Sequence, residues 1–254
     1  MTRYALAVVY RHYLVWRSLM WSSLASNVVN PVLFLFAFGF GLGAFVKSID
    51  GMEYLSFIVP GMAAYAAMFA ASFETTIGAY SRYAMQRTWD AILATPVSLS
   101  DLLFGEVLFA ALKGLFSACC VVAVGALWGG VESLTGALLA IVLIFVASVG
   151  FAAYGLLATS MARGYEFFSY FFTFWLTPMF VFSGVFFDVG RFPDAVQWFA
   201  WILPMTHLIE VARPLMVGVP VDWSSAAMHI GYGIGLTLLA FWLALRNMRT
   251  RMFD

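Results

Sequence analysis

The sequence predicts an all-α integral membrane protein with six transmembrane helices. Of its 254 residues, 63% are apolar and 10% are charged, against roughly 45–50% and 25% in an ordinary soluble domain. Long uncharged stretches recur along the chain, and no stretch has the composition of a soluble domain. The whole chain must therefore be accounted for within or beside a lipid bilayer.

Composition also excludes several function classes. Thirteen basic residues balance thirteen acidic ones, so no basic field exists to attract nucleic acid. The two cysteines are the adjacent pair Cys119 and Cys120, whereas disulfide frameworks and zinc sites need spaced cysteines. The segment 41–48 resembles a phosphate loop but has Val46 where the second glycine must stand. We therefore predict no catalytic residues, no metal and no cofactor in this chain.

The first 22 residues predict an amphipathic helix on the inner membrane surface. Their larger apolar residues alternate at spacings of three and four, which places them in one stripe on a helix. Two alternatives are a secretory signal and an irregular start of the first span. The stripe consists of Leu6, Val9, Tyr13, Trp16 and Met20.

Residues 23–254 predict the transmembrane domain. A span needs about 20 mostly apolar residues, and the uncharged stretches place six spans at about 24–46, 54–80, 102–128, 135–160, 166–187 and 224–246. The segment from about 192 to 218 has a shorter apolar stretch that contains Pro204 and His207. It predicts a re-entrant segment on the outer side that does not cross.

The loops predict that both termini are cytoplasmic. Basic residues accumulate on the cytoplasmic side of membrane proteins, and this orientation assigns nine of them inside and three outside. The inside set is Arg3, Arg11, Arg17, Arg82, Arg87, Arg163, Arg246, Arg249 and Arg251, and the outside set is Lys47, Arg191 and Arg213.

The longest cytoplasmic loop predicts its own short helix, at about 82–95. Arg87 and Asp90 fall on one side of this helix and Trp89 and Leu93 on another. Thr95-Pro96 ends it, because proline disfavours helical geometry in the preceding residue. An amphipathic helix in this position suits docking to a soluble partner, and an ordinary solvated linker is the alternative.

Three charged residues lie within the predicted spans: Glu74, Glu106 and Lys113. Counted at about 1.5 Å per residue from Arg82 and Asp101 as the inner interface, Lys113 lies about 18 Å deep. A charge there is costly unless it is paired or hydrated. We predict an intramembrane cluster in which both glutamates neutralise Lys113. Alternatively, the glutamates reach headgroup water and Lys113 extends to the interface alone.

Several short motifs resemble the membrane subunit of ABC-2 type exporters, and in particular the nodulation protein J branch of lipo-oligosaccharide exporters. The match runs in order over about residues 20–220, and its most specific part is Gln-Arg-Thr-Trp-Asp-Ala. The motifs are Phe73-Glu74-Thr75, 86–91, Gly105-Glu106, Thr177-Pro178-Met179, Ser183-Gly184, Leu203-Pro204 with His207, and Arg213-Pro214 with Gly218.

This resemblance implies an ABC-2 exporter fold and a homodimer in the bacterial inner membrane. Each subunit would work with a separate cytosolic ATPase, in two copies, which binds the ATP and magnesium. It implies that the predicted helix at 82–95 is a coupling helix. The residues carried over to ATPase coupling are Arg87, Thr88, Trp89, Asp90 and Leu93.

For cargo, the resemblance implies a lipid or glycolipid, such as a lipo-oligosaccharide or a polysaccharide-like glycan. Aromatic residues of the first and fifth predicted spans are candidates for the substrate path, because aromatic faces suit both sugars and lipid tails; ordinary lipid-facing packing is the alternative. They are Phe34, Phe38, Phe171, Phe174 and Trp175.

Other functions stay open at this point. An ABC-2 exporter of drugs or other lipids would have the same architecture. An ion-coupled secondary transporter would use Glu74, Glu106 and Lys113 as a relay, and a membrane anchor would need none of the three.

Overall fold

A computed structural model of the protein describes residues 3–18, 25–49 and 51–253. Within these residues, the only strands form a small hairpin of β1 (Ser48–Ile49) and β2 (Met52–Glu53), and most of the rest is helical. The helices are α1 (Arg3–Ser18), α2 (Asn30–Phe36), α3 (Tyr54–Phe73), α4 (Thr88–Leu93), α5 (Leu99–Leu127), α6 (Leu134–Met161), α7 (Glu166–Phe171), α8 (Thr177–Phe182), α9 (Asp194–Ile202), α10 (Pro204–Val217) and α11 (Trp223–Phe253).

Wider, π-helical turns extend several of these helices. Within the described part of the chain they are Ala25–Val29, Ala37–Leu42, Glu74–Gly78, Ser81–Met85 and Phe172–Leu176, and a 3₁₀ turn covers Val189–Arg191. All of the π-helical stretches fall on the first, second and fifth predicted spans or at their ends.

Within the described residues, four helices are long and apolar enough to cross a membrane: Tyr54–Met85, α5, α6 and α11. The first and fifth predicted spans contain shorter helical stretches, at 25–42 and 166–182. Counting uncharged residues locates apolar stretches, but it does not show where a helix bends or ends. The multi-pass architecture is therefore established, and six crossings stay a prediction.

Helix α3 forms the centre of the molecule. Nearly all of its residues are buried, and it packs against α5, α6 and α10. Small residues permit these close approaches: a Cβ atom added at Gly125 of α5 would lie 2.7 Å from the Val59 side chain. At the periphery, α11 leaves most of its surface uncovered within this single chain.

Helix α1 packs lengthwise against α5. Val8 contacts the position of Gly105, where an added Cβ atom would lie 2.7 Å from the Val8 Cβ atom, and Trp16 packs edge-on against Phe116. The helix thus follows α5, and its position on the inner membrane surface stays a prediction. The apolar side chain of Leu6 is exposed on the other face. Residues 19–24, with Met20 of the predicted stripe, lie outside the described residues.

The helix predicted at 82–95 is two pieces. Ser81–Met85 continues the helix of the second predicted span, and only α4 forms a separate helix. The chain turns between them because Arg87 adopts a left-handed conformation, with φ 54°, which interrupts a right-handed helix. Helix α4 ends at Leu93, before Pro96.

The predicted re-entrant segment consists of α9 and α10, which have 9 and 14 residues. At about 1.5 Å per residue they are roughly 14 and 21 Å long, shorter than the bilayer core of about 30 Å. Arg213, expected among the exposed outer charges, is buried. Its Nε atom donates to the Phe57 carbonyl at 3.2 Å and its Nη2 atom donates to the Gly184 carbonyl.

Candidate functional site

The charged residues of the second and third predicted spans meet at one place. Glu74 begins the π-helical stretch after α3, Arg82 lies in the next one, and Glu106 and Lys113 project from α5. We refer to Glu74, Arg82, Glu106 and Lys113 as the charge cluster.

Arg82 is the bridge of the charge cluster. Its Nη1 atom lies 2.7 Å from Oε1 of Glu74, and its Nη2 and Nε atoms donate to Glu106 at 2.6 and 3.1 Å. The Nζ atom of Lys113 lies 2.6 Å from Oε2 of Glu74. The structure therefore brings the three predicted residues together, but with a different pairing. Lys113 pairs with Glu74, and Glu106 joins through Arg82.

Glu106 is completely buried and receives contacts from three further elements besides its own helix. In addition to Arg82, the indole Nε1 of Trp89 in α4 donates to its Oε1 at 2.9 Å. The Nε2 atom of His12 in α1 lies 3.2 Å from the same oxygen. One carboxylate thus joins α1, the end of the second-span helix, α4 and α5.

The charges of the cluster cancel, since two carboxylates face one guanidinium and one ammonium. Burying ions is costly, and the cost is offset only when the ions are paired and hydrogen-bonded. Here every charged group has an ionic partner within 2.7 Å. Within the described residues, no three His, Cys, Asp or Glu side chains converge as metal ligands would.

The helices that carry the charge cluster are longer than a bilayer core is thick. Tyr54–Met85 has 32 residues, or about 48 Å at 1.5 Å per residue, against a bilayer core of about 30 Å. Counted from the outer ends Tyr54 and Leu127, Glu74 and Glu106 lie about 30 Å inward and Lys113 about 21 Å. With Tyr54 and Leu127 at the outer boundary of the hydrocarbon, Lys113 would lie nearer the inner boundary than the count from Arg82 and Asp101 places it.

The residues predicted to contact an ATPase differ in accessibility. The side chains of Arg87 and Asp90 are 78% and 50% exposed and lie 3.5 Å apart. Thr88 and Leu93 are half-buried, and Trp89 is fully buried. Arg87 and Asp90 therefore offer charges to a partner, whereas Trp89 connects α4 to the interior. Left-handed conformations of residues other than glycine are strained and concentrate at functional sites.

A second link runs from Trp89 to the last helix. The Trp89 ring lies 5.4 Å from the Tyr83 ring, and the guanidinium of Arg251 lies 5.7 Å from the centroid of the same Tyr83 ring. Arg251 also donates to the Ser160 carbonyl at 2.8 Å, at the inner end of α6. Helix α4 is thereby connected to α6 and α11 as well as to the charge cluster.

The aromatic candidates for the substrate path separate into two groups. The Phe34 ring lies 6.0 Å from Phe180, and the Phe38 ring lies 4.6 Å from Phe186. The first predicted span therefore contacts the end of the fifth through aromatic rings.

The other three candidates lie apart from that contact. Phe174 is exposed and stacks on Tyr170, Trp175 faces Tyr154 of α6, and Phe171 is half-buried beside Phe172.

Sequence reasoning missed Arg82 and His12 as site residues. Arg82 counted only as a cytoplasmic charge, although its position eight residues after Glu74, about two helical turns, was a usable signal. No comparable signal existed for His12, because the approach of α1 to Glu106 depends on tertiary packing.

Comparisons with known proteins match most of the chain to membrane transport proteins. The family model described as ABC-2 type transporter matches residues 5–217. Nodulation protein J of Rhizobium meliloti (strain 1021) is 36% identical over 247 residues, which cover 97% of this chain and 93% of that protein. Nodulation protein J of Sinorhizobium fredii is 35% identical over 249 residues, covering 98% and 94%. The inner membrane transport permease YadH of Escherichia coli is 25% identical over 197 residues, covering 78% and 76%.

Proposed function

This chain belongs to the ABC-2 type transporter family and is a membrane transport permease, and on that basis we propose that it exports a lipid-linked or amphipathic glycan. Permeases of this family work with a cytosolic ATPase. In our proposal, two copies of this chain form a homodimer in the bacterial inner membrane, with both termini cytoplasmic. Two copies of the ATPase bind ATP and magnesium and drive the dimer.

The glycan cargo is supported by the relatives and by the aromatic residues. Several relatives carry the name nodulation protein J. The resemblance of this chain to that branch implies lipo-oligosaccharide export. Phe34, Phe38 and their partners offer ring faces between the first and fifth predicted spans, and such faces suit sugars and acyl chains.

The π-helical stretches support a path along the same helices. Within the described residues they occur at the first, second and fifth predicted spans, and π-helical turns are frequent at functional sites. Exposed rings on these helices, such as Phe36, Phe73 and Phe174, leave an aromatic surface for the second copy. We propose that the path lies between these surfaces of the two copies.

The observation that carries the coupling proposal is the hydrogen bond from Trp89 to Glu106. Helix α4 presents Arg87 and Asp90 outward and attaches through Trp89 to the charge cluster. A force that the ATPase exerts on α4 would therefore reach the second and third predicted spans through a buried, charge-assisted contact, which is roughly twice as strong as a neutral one.

The test is transport by the purified permease with its co-expressed ATPase in lipid vesicles, with lipo-oligosaccharide as cargo. Trp89→Phe keeps an aromatic ring at this buried position but removes the indole donor and part of the ring volume. We expect the complex to assemble and hydrolyse ATP while cargo moved per ATP falls about tenfold, as expected for losing a bond worth about 1.5 kcal/mol. Arg87→Ala should instead weaken ATPase binding.

The matched control is Trp198→Phe, which makes the same change at an exposed tryptophan of α9 and should leave transport unchanged. If Trp89→Phe moved as much cargo per ATP as the wild type, the proposal that force passes through the Trp89–Glu106 hydrogen bond would be excluded. Transport of plain phospholipid in preference to glycolipid would exclude the cargo, and transport without the ATPase would favour the ion-coupled alternative.

A further inference from the structure

Two histidines join the outer helices to the last span. The Nδ1 atom of His207 in α10 lies 2.7 Å from the Nδ1 atom of His229 in α11, and the Nε2 atom of His207 lies 2.8 Å from the Trp201 carbonyl oxygen. On the far side, Nε2 of His229 lies 3.3 Å from the Ser225 hydroxyl. Neither histidine belongs to the charge cluster.

The partners determine the tautomer of each ring. A carbonyl oxygen can only accept, so Nε2 of His207 carries a hydrogen, and Nδ1 of the neutral ring accepts. Nδ1 of His229 must then donate, and Nε2 of His229 accepts from Ser225. With both rings neutral, every ring nitrogen of the pair is satisfied.

The pair tolerates one added proton but not two. If His207 is protonated, its Nδ1 donates, and His229 moves its hydrogen to Nε2 and donates to the Ser225 hydroxyl. If both rings are protonated, two N–H groups and two positive charges face each other at the same contact. The contact must then open.

The pair lies where opening is structurally feasible. Both histidines line a recess of about 40 Å³ between α6, α10 and α11, larger than the roughly 10–15 Å³ that one water needs, so water can bring protons. Gly231 and Gly233 of α11 have no neighbouring atoms within 4 Å of an added Cβ position, apart from their own helix. These positions of α11 are therefore not covered by other parts of the described chain.

We propose that His207 and His229 are positioning residues that act as a latch controlled by protons. The pair holds α9 and α10 against α11 when it carries at most one added proton, and it releases them when it carries two. The open state binds more protons than the closed state, so acidification favours opening. Burial lowers the pKa of the His207 imidazole, so we expect the opening on the acidic side of neutral pH.

Other charged and titratable groups surround the pair. Burial raises the pKa of the Glu210 carboxyl of α10, which also interacts electrostatically with Arg213, Asp188 and His229; in its ionised form it favours the first added proton. From α11, Tyr232 packs on the His207 ring and donates to the Ile202 carbonyl at 2.7 Å. Tyr154 of α6 lines the same recess. Neither tyrosine ionises between about pH 5 and pH 7.5. The hydrogen bond of Tyr232 therefore joins α11 to α9 independently of pH in this range.

The test is amide hydrogen exchange over 201–210 in the purified full chain in lipid nanodiscs, corrected for the chemical effect of pH. Between about pH 7.5 and pH 5 we expect opening to rise about tenfold in the wild type. In His207→Gln this response should disappear, because only one charge can form. The control Tyr232→Phe should exchange faster at both pH values and keep the full response.

Imidazole ¹⁵N NMR of the wild type adds a measurement that needs no variant. At about pH 7.5 we expect an Nε2–H tautomer for His207 and an Nδ1–H tautomer for His229. Unchanged exchange in the acidified wild type, an undiminished response in His207→Gln, or the opposite tautomers would each overturn the latch. The assay omits the ATPase and the cargo, so its outcome is independent of the proposed transport function.

Discussion

At the residue scale, the second and third predicted spans are joined by ions that neutralise each other. Arg82 contacts both glutamates, and Lys113 contacts Glu74 alone. Each ion is tolerated in this buried place because the others are present. The free energy of unfolding should therefore depend on the net charge of the cluster more than on any one contact within it.

Lys113→Met leaves one negative charge without compensation and should cost about 3–5 kcal/mol in the free energy of unfolding. Adding Glu74→Gln returns the cluster to neutrality and should recover a large part of that loss. Unfolding of the purified variants in detergent measures both. The control is Lys47→Met, at an exposed lysine of the outer loop, which should cost nothing measurable; strictly additive effects of Lys113→Met and Glu74→Gln would contradict the coupling of these charges.

At the element scale, helices approach closely where one of them has a glycine. A Cβ atom added at Gly155 of α6 would collide with Thr75 Oγ1 and lie 3.0 Å from the Ser72 carbonyl oxygen. Beside it, Thr159 donates to the Thr75 carbonyl at 2.7 Å. Hydroxyl-to-carbonyl bonds of this kind join membrane helices whose backbones can come near, so the glycine permits the bond.

Gly155→Ala should separate α6 from the second-span helix and cost about 1–3 kcal/mol, the usual range for overpacking. The same substitution at Gly231, which has nothing within 4 Å, should be neutral or slightly stabilising because alanine favours helix. Thermal unfolding of the two variants compares the sites directly. Equal effects would show that the contact at Gly155 relaxes freely.

At the scale of the whole molecule, the helices differ in how much of their surface this chain covers. Helix α3 is buried on nearly all sides, whereas α11 and the aromatic faces of the first and fifth predicted spans are open. Lipid and the proposed second copy would cover such faces. Helices α9 and α10 lie on the side that the sequence predicts to be outside and are too short to cross separately.

Cysteines introduced as Gly190→Cys and Val219→Cys should both react with an impermeant maleimide added from outside, because they flank a segment that enters the membrane and returns. Native Cys119 and Cys120 are replaced by serine beforehand. Arg249→Cys, in the last turns of α11, is the control and should react only after permeabilisation. Labelling of positions 190 and 219 from opposite sides would show that the segment crosses and that the orientation is wrong.

The sequence by itself determined the class of the molecule and where its unusual residues lie. Charge-free stretches predict the spans because the bilayer core penalises charges, and the unequal number of basic residues in the loops predicts the orientation. Neither rule needs knowledge of contacts. The resemblance to ABC-2 exporters is confirmed by the family match and the relatives. Glu74, Glu106 and Lys113 could be singled out for the same reason.

Only the tertiary structure decided which of these residues pair. The contact of Arg82 with Glu74 follows from their spacing of eight residues, but its contact with Glu106 forms because α5 packs beside the second-span helix. No local spacing encodes that approach. The same holds for His12, which α1 brings to Glu106, and for Trp89, which faces the interior although its helix suggested a partner. Hydrophobic periodicity shows which face of a helix avoids water. In a membrane several faces of a helix are apolar, and packing and ion pairing determine which of them contacts another helix.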